Sequence, residues 1–210
     1  MKIGVIQASS QKEKNRLLYE CTKKAVQGKG HEVINFGVQA GDGAEYSYVQ
    51  AALLICLLLE SKAVDFVVTG CSSGQGMMLA CNSLPGVLCG YAPTPADAYL
   101  FGRINGGNAL SVPLGLNFGW AGEINLQYTL NALFEEPFGM GYPPQDAGRK
   151  QTDTRLLKSI NRAAKRELAD ALARLDPGFV ESCLQWERVR DFILQHGRRS
   201  GLAEWLGGCG

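Results

Sequence analysis

One short glycine-rich turn holds the residues best placed to do chemistry. Residues 70–76 read Gly-Cys-Ser-Ser-Gly-Gln-Gly and directly follow the apolar run at residues 64–69. Glycines let backbone N–H groups approach an anion, and the N-terminus of a following helix adds positive potential. A thiolate at Cys71, or an oxyanion beside it, would be surrounded by such donors. We therefore predict a site centred on Cys71, in which the hydroxyl groups of Ser72 and Ser73 can donate or accept protons.

The sequence of this turn excludes three familiar anion-binding loops. It has no lysine where a nucleoside triphosphate loop requires one, and its G-x-x-x-G-x-G spacing differs from the dinucleotide pattern G-x-G-x-x-G. A cysteine phosphatase loop would need an arginine where Met77 stands. One alternative stays open at this point, which is that Cys71 is an inert buried thiol in an ordinary turn.

The elements that must position the turn alternate between short apolar runs and helical patterns. Strands are predicted at residues 2–6, 32–36, 64–69, 87–90 and 109–112, and helices at 46–59, 77–82, 96–101 and 121–134. Another helix is predicted to begin at a capping box made by Ser10 and Glu13. The fold class is therefore α/β: a three-layer α/β/α architecture with a five-stranded parallel Rossmann-like sheet. Cys71 then lies at the carboxyl end of a strand, where ligands bind in such sheets.

The sequence pattern changes after the predicted strands and helices of the α/β unit. Residues 138–148 (FGMGYPPQDAG) form a glycine- and proline-rich loop or linker, and residues 152–175 read as a charged amphipathic helix. Pro177 stands at the first position of a further helix. We predict an α/β domain over residues 1–150 and a C-terminal helical extension over residues 151–210, whose last segment we expect to be held in place.

Composition narrows the classes of function. Lys and Arg total 21 against 20 for Asp and Glu, so the chain has no general attraction for nucleic acid or anionic lipid, and we expect neither nucleic acid nor membrane as a partner. With only two histidines, a histidine-based metal site is nearly excluded, and we predict no metal. The seven cysteines lack CxxC spacing and lie mostly in apolar runs, as in a reduced, cytoplasmic protein.

Residues 1 to about 150 resemble the ribose-5-phosphate isomerase B and galactose-6-phosphate isomerase family, most closely over residues 67–115. The family's C-G-T-G-x-G turn is similar to residues 71–76 (CSSGQG), and its A-A-N is similar to residues 80–82 (ACN). Its H-N-x-x-N segment is similar to residues 104–108 (INGGN), and its G-x-x-V-x-D-x-G segment to residues 30–37 (GHEVINFG).

This resemblance implies an aldose–ketose isomerase that works through a cis-enediolate and needs no cofactor or metal. It implies that Cys71 is the base and that Ser73 relays protons between the substrate oxygens. The implied oxyanion and substrate ligands are Ser72, Gly74, Gln75, Gly76, Asn105 and Tyr46. Arg149 matches the first phosphate-binding arginine of the family, whereas Asp153 stands at the second position, so Lys150 and Arg155 are the remaining candidates for the phosphate.

The implied ligand is a sugar phosphate of the ribose 5-phosphate/ribulose 5-phosphate type, or a related tetrose or hexose phosphate. Members of this family are dimers or larger, and each pocket is completed by a neighbouring subunit. The resemblance therefore implies a homodimer or homotetramer with its pockets at the subunit interface.

Three positions depart from the family pattern. The early Asp-His pair falls on Ala8 and Ser9, and the histidine that helps to open the sugar ring falls on Ile104. These departures favour a substrate that need not be opened, such as a four-carbon sugar phosphate. A catalytically degenerate sugar-phosphate-binding protein is the alternative. A phosphocysteine phosphocarrier is disfavoured, because its cysteine loop follows the first strand, whereas Cys71 follows the third.

Overall fold

The sheet has five strands, all parallel. A computed structural model describes residues 1–199, 202, 205 and 206 of the chain. The strands are β1 (Lys2–Val5), β2 (Glu32–Asn35), β3 (Phe66–Cys71), β4 (Cys89–Tyr91) and β5 (Ala109–Pro113). They lie in the order β2-β1-β3-β5-β4, and each neighbouring pair is parallel. The predicted five-stranded parallel sheet is confirmed.

Helices connect and cover these strands. They are α1 (Asn15–Ala25), α2 (Tyr48–Glu60), α3 (Gln75–Ser83), α4 (Pro95–Leu100), α5 (Gly122–Leu133), α6 (Ala147–Ala164), α7 (Leu168–Leu172), α8 (Pro177–Leu184) and α9 (Glu187–His196). Short 3-10 helices lie at Ser9–Lys14 and Pro144–Asp146, and a π-helix lies at Phe101–Asn105. Among the described residues, no helix has both the length and the apolar character needed to cross a membrane.

The central strand β3 shows why the fold has three layers. Successive side chains of a strand point to opposite faces of the sheet. Val67 and Cys71 accordingly belong to one core, shared with α2 and α3, whereas Phe66 and Val68 belong to the other, shared with α1 and α5. The predicted α/β/α architecture is therefore confirmed, with both faces of the parallel sheet covered.

The C-terminal helices complete one of these layers. Every residue of α2 from Ala51 to Glu60 is buried, because the sheet lies on one side of this helix and α8 and α9 lie on the other. Val180, Cys183, Val189 and Ile193 share the same hydrophobic core. The helix predicted to start at Pro177 is confirmed, and Asp176 caps it by accepting from the Phe179 N–H over 2.8 Å. An almost wholly apolar α2 thus anchors the extension.

The long helix predicted at residues 152–175 is corrected. The structure has α6 from Ala147 to Ala164 and a separate α7, with the chain extended at Lys165. The Lys165 ammonium donates to the carbonyl oxygens of Asn82 and Leu84, which draws the backbone out of the helix toward the body of the protein. Because α6 begins at Ala147, residues 150 and 151, between which we predict the domain boundary, both lie within this helix.

The capping box predicted at Ser10 and Glu13 is wrong. Residues Ser9–Lys14 form a 3-10 helix without a side-chain cap, and α1 begins at Asn15. The Asn15 side chain is buried and bonds to Gln7 and Asn35, so this polar cluster decides where the helix starts. In the final segment, Leu206 is buried. Residues 200, 201, 203–204 and 207–210, for which we also predict an ordered tail, lie outside the described residues.

Candidate active site

The Cys71 turn joins the end of β3 to the start of α3. Gly74 caps the helix with φ +78°, a left-handed conformation that a side chain disfavours. A Cβ at Gly74 would lie 2.7 Å from the Tyr91 ring and 2.9 Å from the Val112 carbonyl carbon, so no other residue fits. The Gly74 N–H donates to the Cys71 sulfur over 3.2 Å. The thiol is thereby held at the N-terminus of a helix, with 7% of its residue surface exposed.

The neighbouring strand β5 holds this turn in place. The Ser111 hydroxyl donates to the Gly74 carbonyl over 2.7 Å. The Ser72 carbonyl accepts from the N–H groups of Gly115, at 2.9 Å, and Leu116, at 2.7 Å. Parallel strands end at the same edge of a sheet, so the loop after β5 packs directly on the loop after β3. The geometry of the turn is therefore fixed from two sides.

Gln11 is a neighbour of the turn that the sequence analysis did not identify. It lies in the 3-10 helix after β1, and its side-chain amide donates to the Ser72 hydroxyl over 2.9 Å. The Ser73 hydroxyl accepts from the Gln75 N–H over 3.3 Å. No sequence signal marks Gln11, because the two partners are 61 residues apart and no motif contains both. The Ser72 and Ser73 hydroxyls therefore both have defined partners beside the thiol.

Tyr46 lies at this same edge of the sheet. Its backbone exchanges hydrogen bonds with Ser9: the Tyr46 N–H donates to the Ser9 hydroxyl over 2.6 Å, and the Ser9 N–H donates to the Tyr46 carbonyl over 2.9 Å. The Tyr46 ring is buried beside Trp186, with ring centroids 5.3 Å apart, and burial raises the pKa of its hydroxyl. The hydroxyl of Ser9, which stands at the position of a family histidine, is therefore engaged in a hydrogen bond with the backbone of Tyr46.

Asn105 and the predicted phosphate ligands lie at the opposite edge. Asn105 ends the π-helix that precedes β5, so it is at the amino end of the strands, and it is exposed. The start of α6 packs beside it, where the Thr154 hydroxyl donates to the Ile104 carbonyl over 2.6 Å. Arg149 has 60% of its side chain exposed and forms ion pairs with Asp146 and Asp153. Within one chain, these residues are near one another and away from Cys71.

Lys150 and Arg155 also belong to α6. The Arg155 guanidinium donates to the Thr152 hydroxyl over 2.8 Å. Both side chains lie on the same helix as Arg149, so all three predicted phosphate ligands sit at the amino edge of the sheet. In the described part of the chain, no group of three or more His, Cys, Asp or Glu side chains is arranged to hold a metal ion.

A small cavity adjoins the Cys71 turn. It has a volume of about 210 Å³ and opens between the carboxyl ends of β4 and β5 and the start of α5. Tyr91, the ring that approaches Gly74, forms one wall, and Pro113, the register partner of Cys71 on β5, forms another. A polar side chain from α5, Asn125, completes the lining together with the loop after β5. The turn therefore has a concave neighbour at the edge where parallel α/β sheets bind ligands.

The fold and the turn together define a parallel α/β protein with a buried cysteine held at a helix N-terminus, at the carboxyl end of the central strand. The sequence profile of the Ribose/Galactose Isomerase family matches residues 8–132. This chain therefore belongs to that family and is a sugar isomerase, which confirms the predicted family and the predicted class of enzyme.

Two solved structures are similar over the full chain. One is the crystal structure of a 4-deoxy-L-threo-5-hexosulose-uronate ketol-isomerase complexed with a tartrate, which is 41% identical with a TM-score of 0.95, over 100% of this chain and 99% of its own. The other is a ribose-5-phosphate isomerase from Vibrio parahaemolyticus, 34% identical with a TM-score of 0.94, over 100% and 99%.

A third structure shows the fold alone. The type B ribose 5-phosphate isomerase from Trypanosoma cruzi is 19% identical with a TM-score of 0.64, and the match covers 78% of this chain and 99% of that one. The two matches that cover all of this chain therefore include its C-terminal extension. A search of the curated proteins found no match.

Proposed function

We propose that this protein interconverts an aldose and a ketose by moving a proton between C1 and C2 of an open-chain sugar through a cis-enediolate. Cys71 is the base, and Ser73 relays protons between the two substrate oxygens. The observation that carries this proposal is the Gly74 N–H, which donates to the Cys71 sulfur over 3.2 Å at the start of α3. That donor and the helix dipole can compensate negative charge on the base.

The first turn of α3 is proposed to hold the enediolate oxygens. The N–H of Met78 donates to the Gly74 carbonyl over 3.1 Å, and the N–H groups before it have no partner within the helix. The Gly76 N–H is one of these donors. The Gly74 and Gln75 N–H groups, which here donate to the Cys71 sulfur and the Ser73 hydroxyl, are proposed to join it and the Ser72 backbone as oxyanion ligands when the substrate is bound. Donors fixed in advance stabilise charge as it develops, without reorganisation.

For the substrate, we propose an open-chain uronate of the kind named for the 41% identical relative. A 4-deoxy-5-hexosulose uronate has a methylene group at C4 and a ketone at C5, so its unhydrated form has no hydroxyl that can close a five- or six-membered ring onto C1. Such a substrate needs no ring-opening acid, which agrees with Ser9 and Ile104 at the positions of the two family histidines. The tartrate bound to that relative is itself a carboxylate.

A phosphorylated sugar is the second candidate substrate. The 34% identical relative is named for ribose 5-phosphate and covers this chain completely. Arg149, at the position of the first phosphate ligand, suits a phosphate or a carboxylate equally, because its planar guanidinium can bond to either group through two N–H donors. Lys150 and Arg155 are proposed as further ligands of the same acidic group, and Asn105 and Tyr46 as contacts to the sugar.

We also propose that the working form is a homodimer or homotetramer. Asn105 and Arg149 lie at the amino edge of the sheet and Cys71 lies at the carboxyl edge, so they can meet only between two copies of the chain. The exposed apolar side chains of α6 support this proposal, with Leu156 57% exposed and Ile160 62% exposed beside the predicted phosphate ligands. Each pocket then takes Cys71 from one subunit and its acid-binding residues from another.

A cytoplasmic location is proposed from the cysteines. Cys21, Cys56, Cys71, Cys81, Cys89 and Cys183 are all free and buried. Free thiols in this number are typical of a protein that stays in a reducing compartment.

Deuterium exchange tests the chemistry. Proton NMR in D₂O would follow isomer formation, and deuterium uptake at C1 of the ketose, for 4-deoxy-L-threo-5-hexosulose uronate, ribose 5-phosphate and erythrose 4-phosphate. We expect the uronate to turn over fastest. Cys71→Ala should lower its rate by about 10²–10⁴-fold, the usual contribution of a positioned acid or base. Cys21→Ala removes a buried thiol on the other face of the sheet and should leave the rate unchanged.

The outcomes separate the alternatives. Faster turnover of a phosphorylated sugar than of the uronate would favour the second candidate substrate. Binding of these sugars without deuterium uptake would favour a catalytically degenerate binding protein. Phosphate bound covalently to Cys71 would favour the phosphocarrier. Exchange that persists at the full rate in Cys71→Ala would overturn the role of this thiol.

A further inference from the structure

A second, larger cavity lies at the amino edge of the sheet, at the other end of the molecule from Cys71. Its volume is about 720 Å³. One wall is the second half of α6, and the others are the end of α2 and the segments that lead into β4 and β5. This volume is within the range of sites that hold a small organic ligand. The sugar isomerase reaction proposed at Cys71 makes no use of it.

The lining of this cavity is strongly basic. Six cationic side chains line it against three acidic ones: Lys62, Lys158, Arg162, Lys165, Arg166 and Arg199 against Glu60, Asp65 and Glu167. Arg199 neutralises Glu60, with an N···O distance of 2.6 Å. Asp65 is engaged by Arg198, outside the lining, at 3.3 Å. Arg166 is paired with Asp170, outside the lining, at 3.1 Å. Of the residues that line the cavity, Lys62, Lys158, Arg162 and Lys165 then face Glu167, which leaves a surplus of positive charge that favours an anionic ligand.

The surplus of positive charge is concentrated at two neighbouring cations on α6. Lys158 and Arg162 are one turn apart on α6, so their side chains extend from the same face of the helix. Neither is in an ion pair with any residue that the structure describes. Nine residues, about two and a half turns, separate Lys158 from Arg149, so the two project from opposite sides of α6. The cavity is therefore separate from Arg149. Arg155 lies on the same side of α6 as Lys158 and Arg162, but neither it nor Lys150 is among the residues that line the cavity.

The wall that carries these cations is fixed to the body of the protein. The Asn161 side chain donates to the Val87 carbonyl over 3.3 Å, just before β4. Lys165 donates to the Asn82 and Leu84 carbonyls at the end of α3, over 2.6 and 2.7 Å, and burial lowers its pKa. These bonds set the position of α6 before any ligand arrives, which lowers the cost of binding.

We propose that this cavity is a binding site for an organic phosphate, separate from the site at Cys71. Arginine and lysine side chains are the usual ligands of phosphate, and Arg162 offers a planar group that can bond to two of its oxygens. Inorganic phosphate would fill little of a 720 Å³ cavity, whereas a nucleoside phosphate matches both its size and its charge, and we take that as the ligand class.

Calorimetric titration of the full-length protein with ATP tests this proposal, because ATP has no aldose or ketose carbonyl to isomerise. We expect saturable binding at constant ionic strength, and weaker binding of inorganic pyrophosphate. The double variant Lys158→Gln/Arg162→Gln should lower the affinity for ATP at least tenfold. Both side chains are exposed, so this variant should remain folded, which circular dichroism would check.

Two controls make the test specific. Lys23→Gln/Lys24→Gln removes the same charge from the exposed side of α1 and should leave ATP binding unchanged. Arg149→Gln should also leave it unchanged. No saturable binding to the unmodified protein, or equal binding by the cavity double variant, would overturn the proposal. Loss of binding in Arg149→Gln alone would overturn it as well, since the ligand would then occupy the active site.

Discussion

Within one chain, the two ends of the parallel sheet differ in how deeply their candidate site residues are buried and how firmly hydrogen bonds hold them. At the carboxyl end, Cys71 and Gly74 are buried, and hydrogen bonds from β5 and its loop hold the turn. At the amino end, Asn105 is exposed, and Arg149 forms ion pairs with Asp146 and Asp153 at the surface. The end that carries the proposed base is thus rigid, and the end proposed to bind the acid of the substrate is open to solvent.

This difference agrees with the roles that we propose for the two ends. A base must be held to within about 0.5 Å of its productive position, which a closed hydrogen-bond network in one chain can provide. Residues that bind the distant acid of a substrate can be brought in by another subunit. The predictions below test this division, in order from the largest expected effect to the smallest.

Gly74→Ala should have the largest effect, because it disturbs the rigid end. The new methyl group would meet Tyr91 and Val112, and φ of +78° would strain any side chain. We expect a loss of roughly 1–3 kcal/mol in the free energy of unfolding and about a hundredfold loss of activity. Chemical denaturation and the exchange assay measure the two effects. Gly43→Ala is the control, since nothing lies within 4 Å of that position, and equal results for the two variants would refute the argument.

Arg149→Gln should change binding at the open end without changing the chemical step. We expect KM to rise about tenfold with kcat nearly unchanged, because the acid of the substrate is bound equally in the ground and transition states. Arg174→Gln is matched to it: its guanidinium is also exposed and paired with a carboxylate, Asp170. A fall in kcat with constant KM in Arg149→Gln would show that Arg149 acts on the reacting atoms instead.

Trp186→Phe should test how the extension supports the rigid end. The Trp186 indole N–H donates to the Phe36 carbonyl at the end of β2 over 2.6 Å. Phenylalanine keeps a ring beside Tyr46 but loses this bond, which should cost about 1 kcal/mol of unfolding free energy. Trp120→Phe serves as the reference, because Trp120 is 97% exposed. Similar unfolding curves for the two variants would mean that the bond contributes nothing.

Over the single pH unit above pH 9, the pH dependence of stability should give the smallest effect, just under about 1 kcal/mol of unfolding free energy. Burial raises the pKa of Cys183 to about 11 from an ordinary value of 9.0. Between these values the unfolded chain loses this proton first, so the free energy of unfolding should fall as pH rises from 9 toward 11. Cys183→Ala should make that fall shallower, as measured by denaturation at several pH values. An unchanged slope would show that Cys183 ionises equally in both states.

The Cys71 turn could be predicted from sequence because its determinants are local. An apolar run followed by closely spaced glycines is enough to place a strand, a turn and a helix. The strand order could not be predicted, since the position of β5 between β3 and β4 depends on packing across the sheet. The break at Lys165 was missed for the same reason, because its partners are the carbonyls of Asn82 and Leu84, more than 80 residues away.

The residue types in the sequence identified the candidate ligands, but they did not show how the fold arranges them. Tyr46 and Cys71 come to one edge of the sheet, whereas Asn105 and Arg149 come to the other, and nothing in the sequence pattern separates these pairs. The basic cavity is a similar case. Its cations come from distant segments around Lys62, Arg162 and Arg199, and only the folded chain brings them together.

The most direct test of the account is complementation between two impaired variants, assayed with the substrate well below its KM so that weak binding at the amino edge lowers the rate. Cys71→Ala loses the base, and a double variant Asn105→Ala/Arg149→Gln loses the ligands at the amino edge. If each pocket combines the two edges from different subunits, a mixed dimer has one intact pocket. Refolding or co-expressing the two variants together should then restore activity to about a quarter of the unmodified level, because half of the dimers are mixed and each has one working site of two. A mixture no more active than the two variants measured separately would contradict the shared pocket.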